Sequence, residues 1–334
     1  MKDPSPQNPF SRLGYSSFTN DLFIDQCIPV LFSHQLRIRP TNKVLNIAKT
    51  QIIPEENTRF WVVGDIPEYL EVDLSKATDN WNLKCIPQYR GFGIDLSGFP
   101  DFQSFLSHHW SQKGVRNLKS KLRKLESSKA STYDFYFGAI DERTYKELFS
   151  FLYEMLKKRF SEIRMYNRNL IHWPYFYKTT LQKINEKKAF LFVIRSEGKP
   201  IFISLDYVIE NIVFGFIQSF DSSYPQYNLG DISMTKKIEW CILNKISFFD
   251  LSKGESFFKE KWSNHPYVLD YYLFYRKKDL KAWIWMNITA LKLQASQYLR
   301  DCGIIGKWFQ YDKFFFKKQT KKLENFDWKK DAGL

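Results

Sequence analysis

Cysteine, histidine and long apolar runs are scarce in this chain, and each shortage excludes a class of protein. Four cysteines in 334 residues, Cys27, Cys85, Cys241 and Cys302, form no CxxC pair and have no histidine at metal-ligand spacing. Neither a zinc site nor a disulfide framework is indicated, and no metal is expected. His108, His109, His172 and His265 are not spaced as a nucleophile set, and no cysteine has a neighbouring base, which disfavours a covalent enzyme intermediate. The most apolar late stretch, residues 282–291, is interrupted by Asn287 and stopped by Lys292. It falls well short of the roughly 20 apolar residues a spanning helix needs. Residues 1–10 carry Pro4, Pro6 and Pro9 among polar neighbours, a flexible lead-in without the apolar core of a secretion signal. The expectation is a cytoplasmic protein, soluble or peripheral to a membrane.

Aromatic residues and positive charge are abundant. Hydrophobic residues make up 44% of the chain and aromatic ones 18%, with 31 Phe and 19 Tyr, enough for a sizeable core. Fifty Lys and Arg against 36 Asp and Glu leave a net charge of +14. That excess suits phosphates, an acidic membrane surface or nucleic acid, and does not choose among them.

Residues 60–63, 81–86 and 92–96 are short β-branched and aromatic runs bounded by Gly, Pro and Asp, read as strands of a first α+β region. Asp101 caps a long helix toward Glu126, which Gly114 can split. Its apolar face carries Phe105, Leu106, Leu118, Leu122 and Leu125. Its other face, Lys113, Arg116, Lys119, Lys121, Arg123 and Lys124, is either a solvated surface or a helix facing phosphate or substrate. After a strand at 132–138, a second amphipathic helix starts at Asp141, with Tyr145, Leu148, Phe149, Leu152, Met155, Leu156 and Phe160 on one face. A helix follows Trp173-Pro174 to about Lys187. Residues 189–195, 201–208 and 212–220 then form a three-stranded antiparallel meander. Beyond a turn come a helix at 232–243, a strand at 246–251, a helix at 257–262 and a strand at 268–275.

The residues after the meander carry a family likeness: Phe220-Asp221-Ser222-Ser223-Tyr224, Tyr227-Asn228-Leu229-Gly230, and Phe249-Asp250-Leu251-Ser252-Lys253-Gly254-Glu255 with Phe258-Lys259 and Trp262. This set resembles the GNAT acyltransferases, and more closely the CelD-like GNAT proteins and their relatives, the Fem-type peptidyltransferases. The likeness spans roughly residues 90–276. It implies a mixed α/β (α+β) chain with two tandem GNAT-like halves: a degenerate copy at 11–140, a catalytic GNAT domain at 141–278, and a helical basic extension at 279–334. The usual pyrophosphate signature, an Arg or Gln followed by a glycine-rich loop, is reduced here to Gln226 and a single Gly230.

The resemblance implies acyl-CoA, such as acetyl-CoA, as donor, with its pyrophosphate at Leu229, Gly230, Asp231, Ile232 and Ser233, where a helix begins. Gly230 would give close backbone approach or a positive φ, while the plain alternative is a helix start capped by Asp231. Backbone amides at Ser219 and Phe220 would polarise the thioester carbonyl. Asp221 is a base for the amine, a group that holds it as an ammonium, or a turn former. Tyr224 and Tyr227 are proton donors to the thiolate or packing residues, and Arg116 and Tyr224 are candidates for substrate contact. Lys259 with Asp250 either stabilises charge developing during transfer, as the resemblance implies, or forms an ion pair that fixes a loop.

The resulting expectation is direct transfer from acyl-CoA to an amine of a sugar, an amino acid or a cell-envelope precursor. Two other readings stand beside it: a Fem-like transferase using aminoacyl-tRNA, which would employ the positive charge, and a non-catalytic module binding anionic lipid or nucleic acid. The aromatic and basic tail, including Trp308, Phe314, Lys317 and Lys321, suits an anionic membrane surface or packing on the catalytic domain.

Overall fold

A computed structural model describes residues 14–334 except 40, 48–50, 55, 56 and 129. The expected lead-in at 1–10 lies outside the described residues. The chain forms two compact units, each made of two segments. The first holds the residues up to Asp95 together with Asp250–Gln310; the second holds Leu96–Phe249 together with Tyr311–Leu334.

In the second unit the expected meander is present as Ala189–Ser196, Lys199–Ile209 and Ile212–Phe220, all antiparallel. Ser131–Tyr136 adds a fourth strand beside the first of these. The three meander strands read as nearly continuous apolar runs because the sheet is covered on both faces. One cover includes the helix Trp173–Asn185, whose Phe176 ring meets Phe216. The helix Glu142–Glu162, which starts where the sequence predicts and is capped by Asp141, packs on the last two meander strands. The helix Leu229–Leu243 lies against the sheet through Trp240, whose ring packs on Phe135 and Phe190. A buried Lys237–Asp206 ion pair at 3.2 Å fastens the same helix to the sheet, and Ser204 donates to that carboxylate. Burial pushes the Asp206 carboxyl up, against the opposing pull of Lys237 and Ser204.

These contacts explain why the units do not meet at residue 140. Ser131–Tyr136 is a ladder partner of Ala189–Ser196, and the helices Phe102–His109 and Gln112–Ser128 pack against Leu229–Leu243. Asp101 caps the first of those helices in a capping box. The break between them falls at Trp110, which is extended, and Gly114 lies within the second helix, its N–H bound by the Ser111 hydroxyl.

The first unit carries an antiparallel sheet of Phe60–Pro67, His265–Arg276 and Trp81–Asp95, with Tyr15–Ser17 parallel to the first. The runs read separately at 81–86 and 92–96 are one 15-residue strand, since the intervening polar residues still pair with His265–Arg276. The helix Leu280–Asp301 covers this sheet through Met286 and Ala290, which pack with Ile86 and Leu273. The expected extension at 279–334 is therefore divided. Leu280–Asp301 belongs to the first unit, whereas the tail docks on the second, where Trp328 is buried against Tyr153 and Tyr177. Among the described residues, no helix is long and apolar enough to cross a membrane.

Candidate active site

The second unit presents a strand end followed by a helix start. The strand Ile212–Phe220 changes register against its neighbour, so that Asp206 faces Gly215 while Leu205 faces Ile217, and Phe216 is the additional residue. Such a bulge increases local twist and bends the strand. Ser219 near its end is fully buried, and its hydroxyl has no hydrogen-bond partner among the described residues. The guanidinium of Arg159 lies 4.1 Å from the centre of the Phe220 ring. Sequence periodicity placed Phe160 on the inward face of that helix and gave no sign that its neighbour reaches the strand end.

Asp221 follows at once. Its carboxylate accepts from the Ser223 N–H at 3.1 Å and the Ser223 hydroxyl at 2.6 Å, a local turn of the kind aspartate favours. Burial pushes this carboxyl up, but Ser223, Lys158 and Lys199 outweigh it and hold the group below its ordinary range. A carboxylate so held is a weak base and a good turn former. Tyr224 opens the short turn Pro225–Tyr227, its ring beside that of Tyr227, and Gln226 is exposed within it.

The helix begins differently from the sequence expectation. Asn228 stands at its N-cap with φ 55° and ψ 60°, so the left-handed residue is Asn228 rather than Gly230. Asparagine tolerates this region better than most residues. Asp231 is not the cap: it is buried in the first turn and accepts from the Asn228 side chain at 2.5 Å, fastening the left-handed residue. The N–H groups of Asp231 and Ile232 bond to the Asn228 carbonyl, and the Ser233 hydroxyl donates to the Gly230 carbonyl. Leu229 and Gly230 have no backbone acceptor among the described residues, because the left-handed Asn228 breaks the ladder between the 3-10 turn Pro225–Tyr227 and the helix. Two unpaired N–H groups at the positive end of a 15-residue helix form an arrangement suited to phosphate.

The basic helix Gln112–Ser128 packs against both the Pro225–Tyr227 turn and the helix that follows it. The Lys124 ammonium lies 6.0 Å from the centre of the Tyr227 ring. Arg116 is exposed, its guanidinium turned back to the Gln112 carbonyl at 3.4 Å. At the far end of Glu142–Glu162, a cleft of about 110 Å³ opens between that helix and Phe316–Glu324, lined by Phe160, Met165, Tyr166 and Leu323 among others.

The remaining sequence candidates, Asp250 and Lys259, lie in the first unit. Asp250 is fully buried and accepts from Tyr69 at 2.7 Å, Tyr267 at 2.6 Å and the Ser252 N–H at 2.6 Å. Burial pushes its carboxyl up, and these donors with the Lys259 charge oppose that shift. Lys259 does not bond to Asp250. Its ammonium donates to the carbonyls of Ser252 at 3.2 Å and Lys253 at 2.6 Å. Burial pushes it down to about 8, with Asp250 pulling upward and Lys253 downward. A second carboxylate, Asp65, binds Lys253 at 2.7 Å and accepts from Ser17 and Tyr271. It does so from a φ of 62°, which is costly for a residue other than glycine. The sequence reading missed Asp65, Tyr69, Lys253 and Tyr267 as a group, since no spacing signal joins segments this far apart.

Residues 112–260, a little under half of the chain, match the family described as Acetyltransferase (GNAT) domain. No curated protein matches the chain significantly. Among solved structures, it is similar to FemX at 8% identity and a TM-score of 0.45, over 64% of this chain and 72% of that one. It is also similar to the C-terminal domain of a putative lysylphosphatidylglycerol synthetase from Agrobacterium fabrum, at 13% identity and a TM-score of 0.44, over 70% and 72% of the two chains. A third is the PaiA N-acetyltransferase of Thermoplasma acidophilum in complex with coenzyme A, at 10% identity and a TM-score of 0.30, over 42% of this chain and 98% of that one. The fold is mixed α/β and GNAT-like, and the protein is an enzyme of the acyltransferase class.

Proposed function

We propose that the protein transfers an acyl group from acyl-CoA to an amine by direct attack, with the donor's pyrophosphate on the first turn of Leu229–Leu243. The observation that carries this reading is the pair of unpaired N–H groups at Leu229 and Gly230, set at the positive end of a helix beside the lysine-rich Gln112–Ser128. These groups suit a diphosphate because they supply donors at the positive end of the helix dipole. Asp231, the acid of the same first turn, is buried, and its carboxylate accepts from the Asn228 side chain.

The thioester carbonyl then lies along the end of Ile212–Phe220, where Ser219 and Phe220 stand and where Arg159 adds a fixed positive charge. A charge fixed before reaction stabilises a developing oxyanion without reorganisation. Asp221, held ionised by Ser223, orients the amine, which attacks as the neutral base: the C–N bond forms, the thioester C–S bond breaks, and the amine's proton leaves with the coenzyme A thiol. The acceptor is an amine on a small molecule or a cell-envelope precursor.

Calorimetric titration with coenzyme A and acetyl-CoA tests the donor site. Gly230→Val places a branched side chain against the approaching phosphates and should weaken binding about tenfold or more while the protein still melts cooperatively. Unchanged affinity in the folded variant contradicts the site. Binding of aminoacyl-tRNA, with no heat from any acyl-CoA, would move the donor assignment to RNA.

A further inference from the structure

The helix Leu280–Asp301 is apolar on two sides. Ala282, Met286 and Ala290 face the sheet. On the opposite side Leu280, Ile284, Ile288, Leu291 and Tyr298 recur at spacings of four, four, three and seven, one continuous stripe on a 3.6-residue helix. That stripe is uncovered: Leu280, Leu291 and Tyr298 are each more than two-thirds exposed. Trp283 and Trp285 flank it, each at least half exposed, and Trp308 beyond the helix is 90% exposed. Isolated exposed apolar residues need no explanation, but a contiguous face with tryptophans at its borders marks an interaction surface.

Charge selects the occupant. From residue 277 to 310 the basic residues are Lys277, Lys278, Lys281, Lys292, Arg300 and Lys307, against only Asp279 and Asp301. Asp279 is used as the helix cap and pairs with Arg59 at 3.6 Å, and Asp301 accepts from Gln297. Lys281 and Lys292 stand exposed beside the apolar stripe. A second copy of this chain would bring lysines against lysines around a shared apolar centre, which opposes association. A surface that is apolar beneath and anionic above satisfies both features, with indole rings at its boundary.

We infer that the outer face of Leu280–Asp301 lies in the interfacial layer of an anionic phospholipid membrane, parallel to its surface. The inference does not depend on the reaction proposed above. The stripe enters the acyl boundary, Lys281 and Lys292 meet lipid phosphates, and the helix remains seated on its sheet through Met286 and Ala290.

The test is sedimentation of the full chain with vesicles of phosphatidylcholine and phosphatidylglycerol, against vesicles of phosphatidylcholine alone. Wild-type protein should sediment with the anionic vesicles. Ile284→Glu combined with Ile288→Glu should lower its partition by on the order of a hundredfold, since each lost apolar burial accounts for about tenfold. The variant should keep its melting temperature, because both side chains face solvent in the free protein. Should the double variant melt early, Leu291→Ser with Trp285→Ser replaces it, with the same expected loss. Equal binding of a folded variant overturns the inference and leaves the basic helix Gln112–Ser128 as the lipid contact. A wild-type protein that ignores anionic vesicles also overturns it; if that protein is a dimer that the variant dissociates, the face belongs to a second copy.

Discussion

The strand end and helix start of the second unit and the carboxylate cluster of the first are both polar centres in aromatic surroundings, but they are assembled in opposite ways. The first draws most of its groups from residues 212–233, and its donors are largely backbone N–H groups placed by one left-handed asparagine. The second is made of side chains from segments as much as 206 residues apart, all converging on Asp65 and Asp250. A site built from consecutive backbone depends on the local conformation that sequence specifies. A site built from side chains on separated strands depends on sheet register, and a shift of one residue would turn each of them to the opposite face.

This contrast predicts different responses to substitution. The largest effect should be on stability in the first unit. Asp250→Ala leaves the hydroxyls of Tyr69 and Tyr267 buried without their acceptor, at a cost of about 3–5 kcal/mol. Chemical denaturation should show a large fall in midpoint; a midpoint within error of wild type would mean that the cluster opens to water and does not hold the unit together.

Next is Arg159→Met in the second unit, which keeps most of the contact with Phe220 and removes the charge. Turnover should fall about 100-fold with donor affinity nearly unchanged, the scale of one lost electrostatic contact in a transition state. Loss of affinity with normal turnover would assign Arg159 to donor binding.

The smallest effect is a displacement along the pH axis. Lys259 titrates near 8 in the folded protein, below the ordinary lysine value, so its ammonium is lost as pH rises through 8. Stability should rise over that range. The unfolded chain binds the proton more tightly, so folding is favoured increasingly from about pH 8 up to the unfolded value, and Lys259→Met should remove that rise. A wild-type denaturation midpoint that stays flat from about pH 8 to 9.5 would contradict the depressed Lys259 value.

The meander, the caps at Asp101 and Asp141 and the helix Phe257–Trp262 were legible because apolar periodicity and capping residues are local. The long strand Trp81–Asp95 was not, since its partner lies far along the chain at His265–Arg276 and pairing overrides the polar interruptions. At the site, the helix start is legible to within three residues; the sequence offers Gly230 for a close approach or a positive φ, and the left-handed position belongs to Asn228. The discontinuous units were hidden for the same reason as the carboxylate cluster. Contacts such as Trp328 on Tyr153 and Tyr177 join residues whose spacing carries no period.

The central claim, that acyl-CoA phosphates sit on the N–H groups of Leu229 and Gly230, is tested most directly by labelling the 14 glycines with nitrogen-15 and titrating coenzyme A into the intact protein. The Gly230 amide, identified by its disappearance in Gly230→Ala, should move strongly downfield and saturate with the calorimetric affinity. A Gly230 signal that stays in place under saturating coenzyme A, while other glycines shift, would contradict the claim.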